Sequence, residues 1–235
     1  MVCVIRLRAH ASPSLLANLR AAPPPAVLYD VSFYGINIFI PEILKSIFGS
    51  EDLVQLCWQT LLVQGLGIPA CAFAIWCLPR MGGRALLLWG FVANGVTFLF
   101  LQAAYAVFPD SDDPTVPPNQ PWLKFFLFSC CMFALNWGTN LGTYIVPVAS
   151  YPSGARGTFH GLSAAAGKAG AALGAFLYPV VVDALGNTRG AILVFFIQVI
   201  VNGLGAFFAY RFLVDDKPSN DEKARQLDDD YEDHE

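Results

Sequence analysis

The sequence predicts an all-α membrane protein of six transmembrane helices. Three observations carry that prediction. Apolar residues make up 55% of the 235 and charged residues only 14%, against about 25% charged in an ordinary soluble domain. The mean hydropathy is +0.51. Six apolar stretches are each long enough to cross a bilayer, which takes about 20 helical residues for a hydrocarbon core of about 30 Å. None shows the apolar/polar alternation of a membrane β-strand. The same composition excludes a disordered chain. It also argues against a nucleic-acid partner, because 14 Lys and Arg face 18 Asp and Glu.

The first span, 26–44, follows a proline triplet at 23–25 and carries Asp30. The second, 53–78, ends at the short basic loop Pro79-Arg80-Met81-Gly82-Gly83-Arg84. The third, 85–108, stops at the loop 109–121, which holds Asp110, Asp112, Asp113 and five prolines. The fourth, 122–149, contains Asn136 and Asn140, and the fifth, 160–184, contains Lys168. The sixth, 190–213, precedes an acidic tail, 215–235, with ten acids and three bases. The spans together form one bundle over 26–214. Gly and Pro inside them are tolerated where neighbouring helices re-satisfy the backbone. Residues 1–25 carry Arg6, Arg8 and Arg20 and no acid. They read as a cytosolic lead-in, with an organelle transit peptide as the alternative.

Ten basic residues lie on the side shared by the N-terminus, 79–84, 150–159 and the C-terminus, among them Arg80, Arg84 and Arg156. Three lie on the other side: Lys45, Lys124 and Arg189. That asymmetry predicts cytoplasmic termini and an outward-facing loop 109–121.

An ionisable side chain at membrane depth is a functional candidate, because burying it there costs several kcal/mol. Asp30 and Lys168 qualify. Asp30, Tyr34 and Asn37 fall at i, i+4, i+7 on one helical face, and Asn136 and Asn140 share another. Lys168 is flanked at three and four residues by Ala164, Ala165, Ala171 and Ala172, which leaves room beside it. Two kinds of reading stand. The groups line a polar cavity, or Asp30 and Lys168 neutralise each other while the asparagines bridge helices and Tyr34 packs in the core. Gly167, Gly170 and Gly174 mark a close-packing surface. Gly167-Lys168-Ala169 is not a phosphate loop, since the upstream glycine spacing is wrong and the site lies inside a helix. The six cysteines form no CxxC pair and read as small buried hydrophobes. The three dispersed histidines give no HExxH, and no Ser/His/Asp spacing appears. No enzyme, metal or cofactor is expected.

One family carries the run Asp30-Val-Ser-Phe-Tyr34-Gly35 together with Tyr151-Pro152-Ser-Gly-Ala-Arg156-Gly-Thr158-Phe-His160-Gly161-Leu-Ser163-Ala-Ala-Ala-Gly167-Lys168-Ala-Gly170. Over about 27–214 the chain resembles the proton-coupled inorganic phosphate permeases of the major facilitator superfamily, specifically their second six-helix half. The resemblance implies a phosphate:proton symporter of the plasma membrane, as a fragment or a divergent half. The first six-helix half is its implied partner. It further implies that Asp30, Tyr34, Asn140 and Lys168 bind phosphate, that Asp30 couples protons, and that Arg80, Arg84 and Arg156 belong to the cytoplasmic gating loops. Three positions depart from the family pattern: Ala26 replaces an aromatic, and Pro79 and Ala149 replace acids. The alternatives are a permease for another solute, such as an organic ion or sugar, and a non-transporting membrane protein that associates with a full-length relative.

Overall fold

A computed structural model of the chain describes residues 23–49, 52–110, 116–150 and 156–213. Most of the lead-in, the acidic tail, Asp112 and Asp113 lie outside the described residues. Within them every regular element is a helix. In chain order these are α1 (Pro23–Asn37), α2 (Ile40–Phe48), α3 (Leu53–Gly65), α4 (Gly67–Met81), α5 (Gly83–Val107) and α6 (Pro121–Ala134). A π-helical stretch (Leu135–Asn140) follows, then α7 (Leu141–Ser150), α8 (Arg156–Leu185) and α9 (Asn187–Phe212).

Prolines decide where these helices start and bend. α1 starts at Pro23, inside the expected lead-in. A first-turn proline is favourable there, because its missing N–H has no partner to lose. The helix over the expected span 26–44 is bent. The chain breaks at Ile38–Phe39, and α1 and α2 meet at a bend of 50°. Pro41 has no N–H for the carbonyl of Asn37, and its ring crowds that oxygen. Pro69 breaks α3 from α4 in the same way by withholding an N–H from Gly65. The two still run as one apolar stretch of 29 residues, Leu53–Met81.

Among the described residues, four stretches are long and apolar enough to cross a membrane, and the bent α1/α2 pair makes a fifth. The residues of the expected fourth span form α6, the π stretch and α7, so no single α-helix fills it. The outer faces expose large apolar side chains, including Trp58, Leu61, Ile68, Trp76, Phe100, Phe176 and Phe207. Such a surface suits lipid and not water.

α5 runs through the core. Phe91, Phe98, Leu101 and Tyr105 are buried at helical spacing, and Phe91, Phe98 and Tyr105 face α9. Phe195 of α9 meets the rings of Phe98 and Tyr105, with centroids 6.2 and 5.4 Å away. α5 also touches the π stretch at backbone level. A Cβ on Gly90 would come within 2.8 Å of Gly138 Cα, so neither glycine tolerates a side chain. Above that contact Asn94 Nδ2 donates to Thr139 Oγ1 at 3.1 Å.

The other main seam joins α1 to α8. The stripe Gly167, Gly170 and Gly174 faces α1. A Cβ on Gly170 would meet the carbonyl oxygen of Val27, and one on Gly174 that of Val31. Gly35 answers from α1, lying against the ring of Tyr178. Behind the seam a buried polar cluster ties α1 to α9. Gln198 Nε2 donates to Tyr178 Oη at 2.6 Å and to the carbonyl of Ser32 at 3.3 Å, and Asn202 Nδ2 donates to Ser32 Oγ at 3.2 Å. These contacts fix the rotation of α1 about its own axis. Ser32 faces α9, so Asp30 and Tyr34 face elsewhere.

Candidate functional site

α1 presents Asp30 and Tyr34 one turn apart, and the glycine stripe of α8 lets the two backbones come close enough for both to reach Lys168. Lys168 Nζ donates to Tyr34 Oη at 2.6 Å and lies 4.0 Å from Asp30 Oδ2. The ammonium also stands over the Tyr34 ring, 4.3 Å from its centroid. A Cβ on Gly167 would come within 2.6 Å of Asp30 Oδ2, so the carboxylate sits over the backbone next to the lysine. The Asp30 side chain is 17% exposed and that of Lys168 is 61% exposed. The cluster therefore opens on one side, and the lysine is its accessible member.

The hydrogen bonding leaves usable capacity. Lys168 spends one of three N–H donors on the phenol, whose own O–H remains to donate. An oxyanion entering from the open side would meet ammonium protons and a phenol proton together. The carboxylate behind them attracts the same ammonium and repels the anion.

Asn140 stands apart from this trio. Its Nδ2 donates to Asn136 Oδ1 at 3.1 Å, while Asn136 Nδ2 donates to the carbonyl of Met132. Both asparagines ride on the π stretch, a form common at functional sites. Asn37 turns back to its own helix and donates to the carbonyl of Phe33. The expected loop 79–84 is helical except at Gly82; within α4, Arg80 donates to the carbonyl of Trp76 and lies over its indole, 3.9 Å from the ring centroid. Arg84 Nη2 donates to the carbonyl of Tyr210 at 2.7 Å, near the C-terminal end of α9, where a cation is favoured. The Arg156 side chain lies outside the described residues.

Two further features escaped the sequence reading. Tyr144 continues the face of Asn136 and Asn140 at the same four-residue step, and its ring stands 6.4 Å from that of His160 on α8. That repeated spacing is the signal that could have found it. At the far end of the bundle, Lys124 is fully buried against Asp110, with Nζ–Oδ1 at 2.6 Å.

A profile of the sugar (and other) transporter family matches residues 31–226. The chain belongs to that family, within the major facilitator superfamily. Several relatives of this chain carry a narrower name. Inorganic phosphate transporter PT2 of Toxoplasma gondii is 34% identical over 163 residues, which is 69% of this chain and 27% of the relative. Probable inorganic phosphate transporter 1-6 of Arabidopsis thaliana is 29% identical over 193 residues, 78% of this chain and 35% of the relative. Probable inorganic phosphate transporter 1-12 of Oryza sativa subsp. japonica is 33% identical over 170 residues, 68% of this chain and 30% of the relative. The chain thus spans only about a third of the length of each of these relatives. Family and fold make it an integral, multi-pass membrane protein of all-α class.

Proposed function

We propose that this chain supplies the second six-helix half of a proton-coupled inorganic phosphate symporter of the plasma membrane, with both termini cytoplasmic. The observation that carries the reading is the convergence of Asp30 and Tyr34 on Lys168 across the α1–α8 seam. Lysine is a competent point-charge partner for phosphate, and the phenol adds a neutral donor. In this reading Asn140, held on the π stretch by its bond to Asn136, would supply a further amide donor to the anion. Protonating Asp30 removes a negative charge beside the anion and frees the ammonium from competition. Proton and phosphate occupancy therefore favour each other, and by linkage the effect is reciprocal. Sites of this superfamily lie between two six-helix halves that rock about them, so the open side of the cluster is where the first half would close. Arg80, Arg84 and Arg156, at the helix ends beside the junctions 79–84 and 150–159, mark the cytoplasmic gating side in this reading.

The test of coupling is Asp30→Asn, which mimics the protonated acid. In the complete transporter, reconstituted with an inward gradient of about one pH unit, unmodified protein should concentrate labelled phosphate about tenfold per coupled proton. Asp30→Asn should still exchange phosphate across the membrane but concentrate none. Accumulation by the variant would remove Asp30 from the coupling step.

Orientation has its own test. A cysteine at Val116, an exposed position of the 109–121 loop, should react in intact cells with a membrane-impermeant thiol reagent. The unmodified chain gives the background. Labelling that appears only after permeabilisation would invert the assignment.

A further inference from the structure

The polar face of α8 continues past Lys168. His160 lies eight residues toward the N-terminal end of the helix, on the same side, with the exposed Ala164 between them. Opposite it, Tyr144 of α7 extends the face that carries Asn136 and Asn140. The rings of Tyr144 and His160 stand 6.4 Å apart at 45°. Tyr144 is 60% exposed, whereas Nδ1 of His160 is buried without a hydrogen-bond partner. Along α8 the exposed Ala164 thus separates two levels, Lys168 with Tyr34 and Asp30 at one and His160 with Tyr144 at the next. Eight helical residues rise about 12 Å, too far for one tetrahedral oxyanion to touch Lys168 and His160 together.

We propose that Tyr144 and His160 form a second station for the transported oxyanion, displaced from Lys168 toward the N-terminal end of α8. The inference rests on the reading that Lys168 receives phosphate. Its chemistry differs from that of the first station. A phenol offers one O–H, and an imidazole offers at least one N–H in either charge state. Such a pair can hold an anion with no permanent cation beside it. Passage requires binding that is favourable enough to enter and weak enough to leave. A strong station followed by a weaker one meets that requirement in the direction from Lys168 to the cytoplasmic end of α8.

The test uses the complete transporter in cells, with labelled inorganic phosphate influx normalised to surface abundance. Tyr144→Phe keeps the ring and deletes only the donor. His160→Leu deletes the imidazole donors, and His160→Gln restores an N–H. Losing a donor to a charged group should lower the maximal rate by about tenfold in Tyr144→Phe and His160→Leu, with half-saturating external phosphate unchanged within about twofold. His160→Gln should recover at least about half of the rate, as a retained donor requires. An unchanged maximal rate in Tyr144→Phe would overturn the second station, and so would an equal loss in His160→Gln and His160→Leu. No phosphate flux in unmodified protein would overturn both the station and the reading beneath it. Normal uptake in Lys168→Ala would overturn the Lys168 reading whatever Tyr144→Phe shows, whereas impaired uptake in Lys168→Ala with normal uptake in Tyr144→Phe would overturn the station alone.

Discussion

Replacing Lys168 with alanine is expected to weaken phosphate binding by at least about thirtyfold, the low end of what truncating one partner of a hydrogen-bonded charge pair costs. The substitution removes the only cation of the cluster and leaves Asp30 facing the anion unopposed. The carboxylate then repels what the site must hold. Lys168→Arg should keep part of the affinity. It preserves the charge, but its flat, forked guanidinium replaces a compact ammonium and does not fit the same phenol contact. Equilibrium binding of labelled phosphate to the purified complete transporter decides the matter, with thermal melting as a check that each variant is folded. Affinity in Lys168→Ala equal to that of the parent would assign the lysine a structural role only.

The largest stability loss should come from the opposite end of the bundle. Lys124 has no exposed side-chain surface, and Asp110 is 12% exposed. Asp110 Oδ1 accepts from Lys124 Nζ and, at 2.8 Å, from the backbone N–H of Asn119. The ammonium also rests over the Tyr105 ring, 4.6 Å from its centroid. The pair therefore clasps the end of α5, the start of α6 and the loop between them. Lys124→Ala strands a buried carboxylate and should cost about 3–5 kcal/mol, the usual penalty for breaking such a pair from one side. The double variant Lys124→Ala, Asp110→Ala should recover part of that loss. Unfolding free energies measured in bicelles for the two singles and the double give the coupling directly. A loss below about 1 kcal/mol in Lys124→Ala would show the pair to behave like a surface ion pair.

Some of this was legible in the chain. Asp30 and Tyr34 share a face because of a four-residue spacing that any helix enforces, and a charged residue inside an apolar run is conspicuous. The glycines at 167, 170 and 174 announced a tight helix contact but not its partner. That Val27 and Val31 fill those notches depends on how helices more than a hundred residues apart pack, and local pattern carries no such information. The bend at Pro41 was within reach of local chemistry, since the missing N–H and the crowded Asn37 carbonyl follow from the residue itself. Reading every proline as tolerated hid it. Lys124 was counted only as one of the outer bases. Its burial requires the 109–121 loop to return Asp110 to the head of α6, which no periodicity encodes. Ser32, Gln198 and Asn202 are single polar residues in apolar stretches, and only their meeting in three dimensions gives them a joint role.

The glycine seam has a mechanical consequence. With carbonyl oxygens of α1 seated in the notches of α8, those two helices cannot slide or part without losing contact along their whole common length. Asp30 and Lys168 are mounted on the two sides of that joint. Their separation is therefore not set by helix displacement. The moving part is the lysine itself, a four-carbon tether with most of its surface free. Through bond rotations alone it can turn its charge from carboxylate and phenol toward an arriving anion. Such rotations run in picoseconds to nanoseconds for exposed side chains, far faster than any rocking of the bundle. In the proposed symporter the ammonium would then exchange the carboxylate for the anion before the larger frame begins to turn.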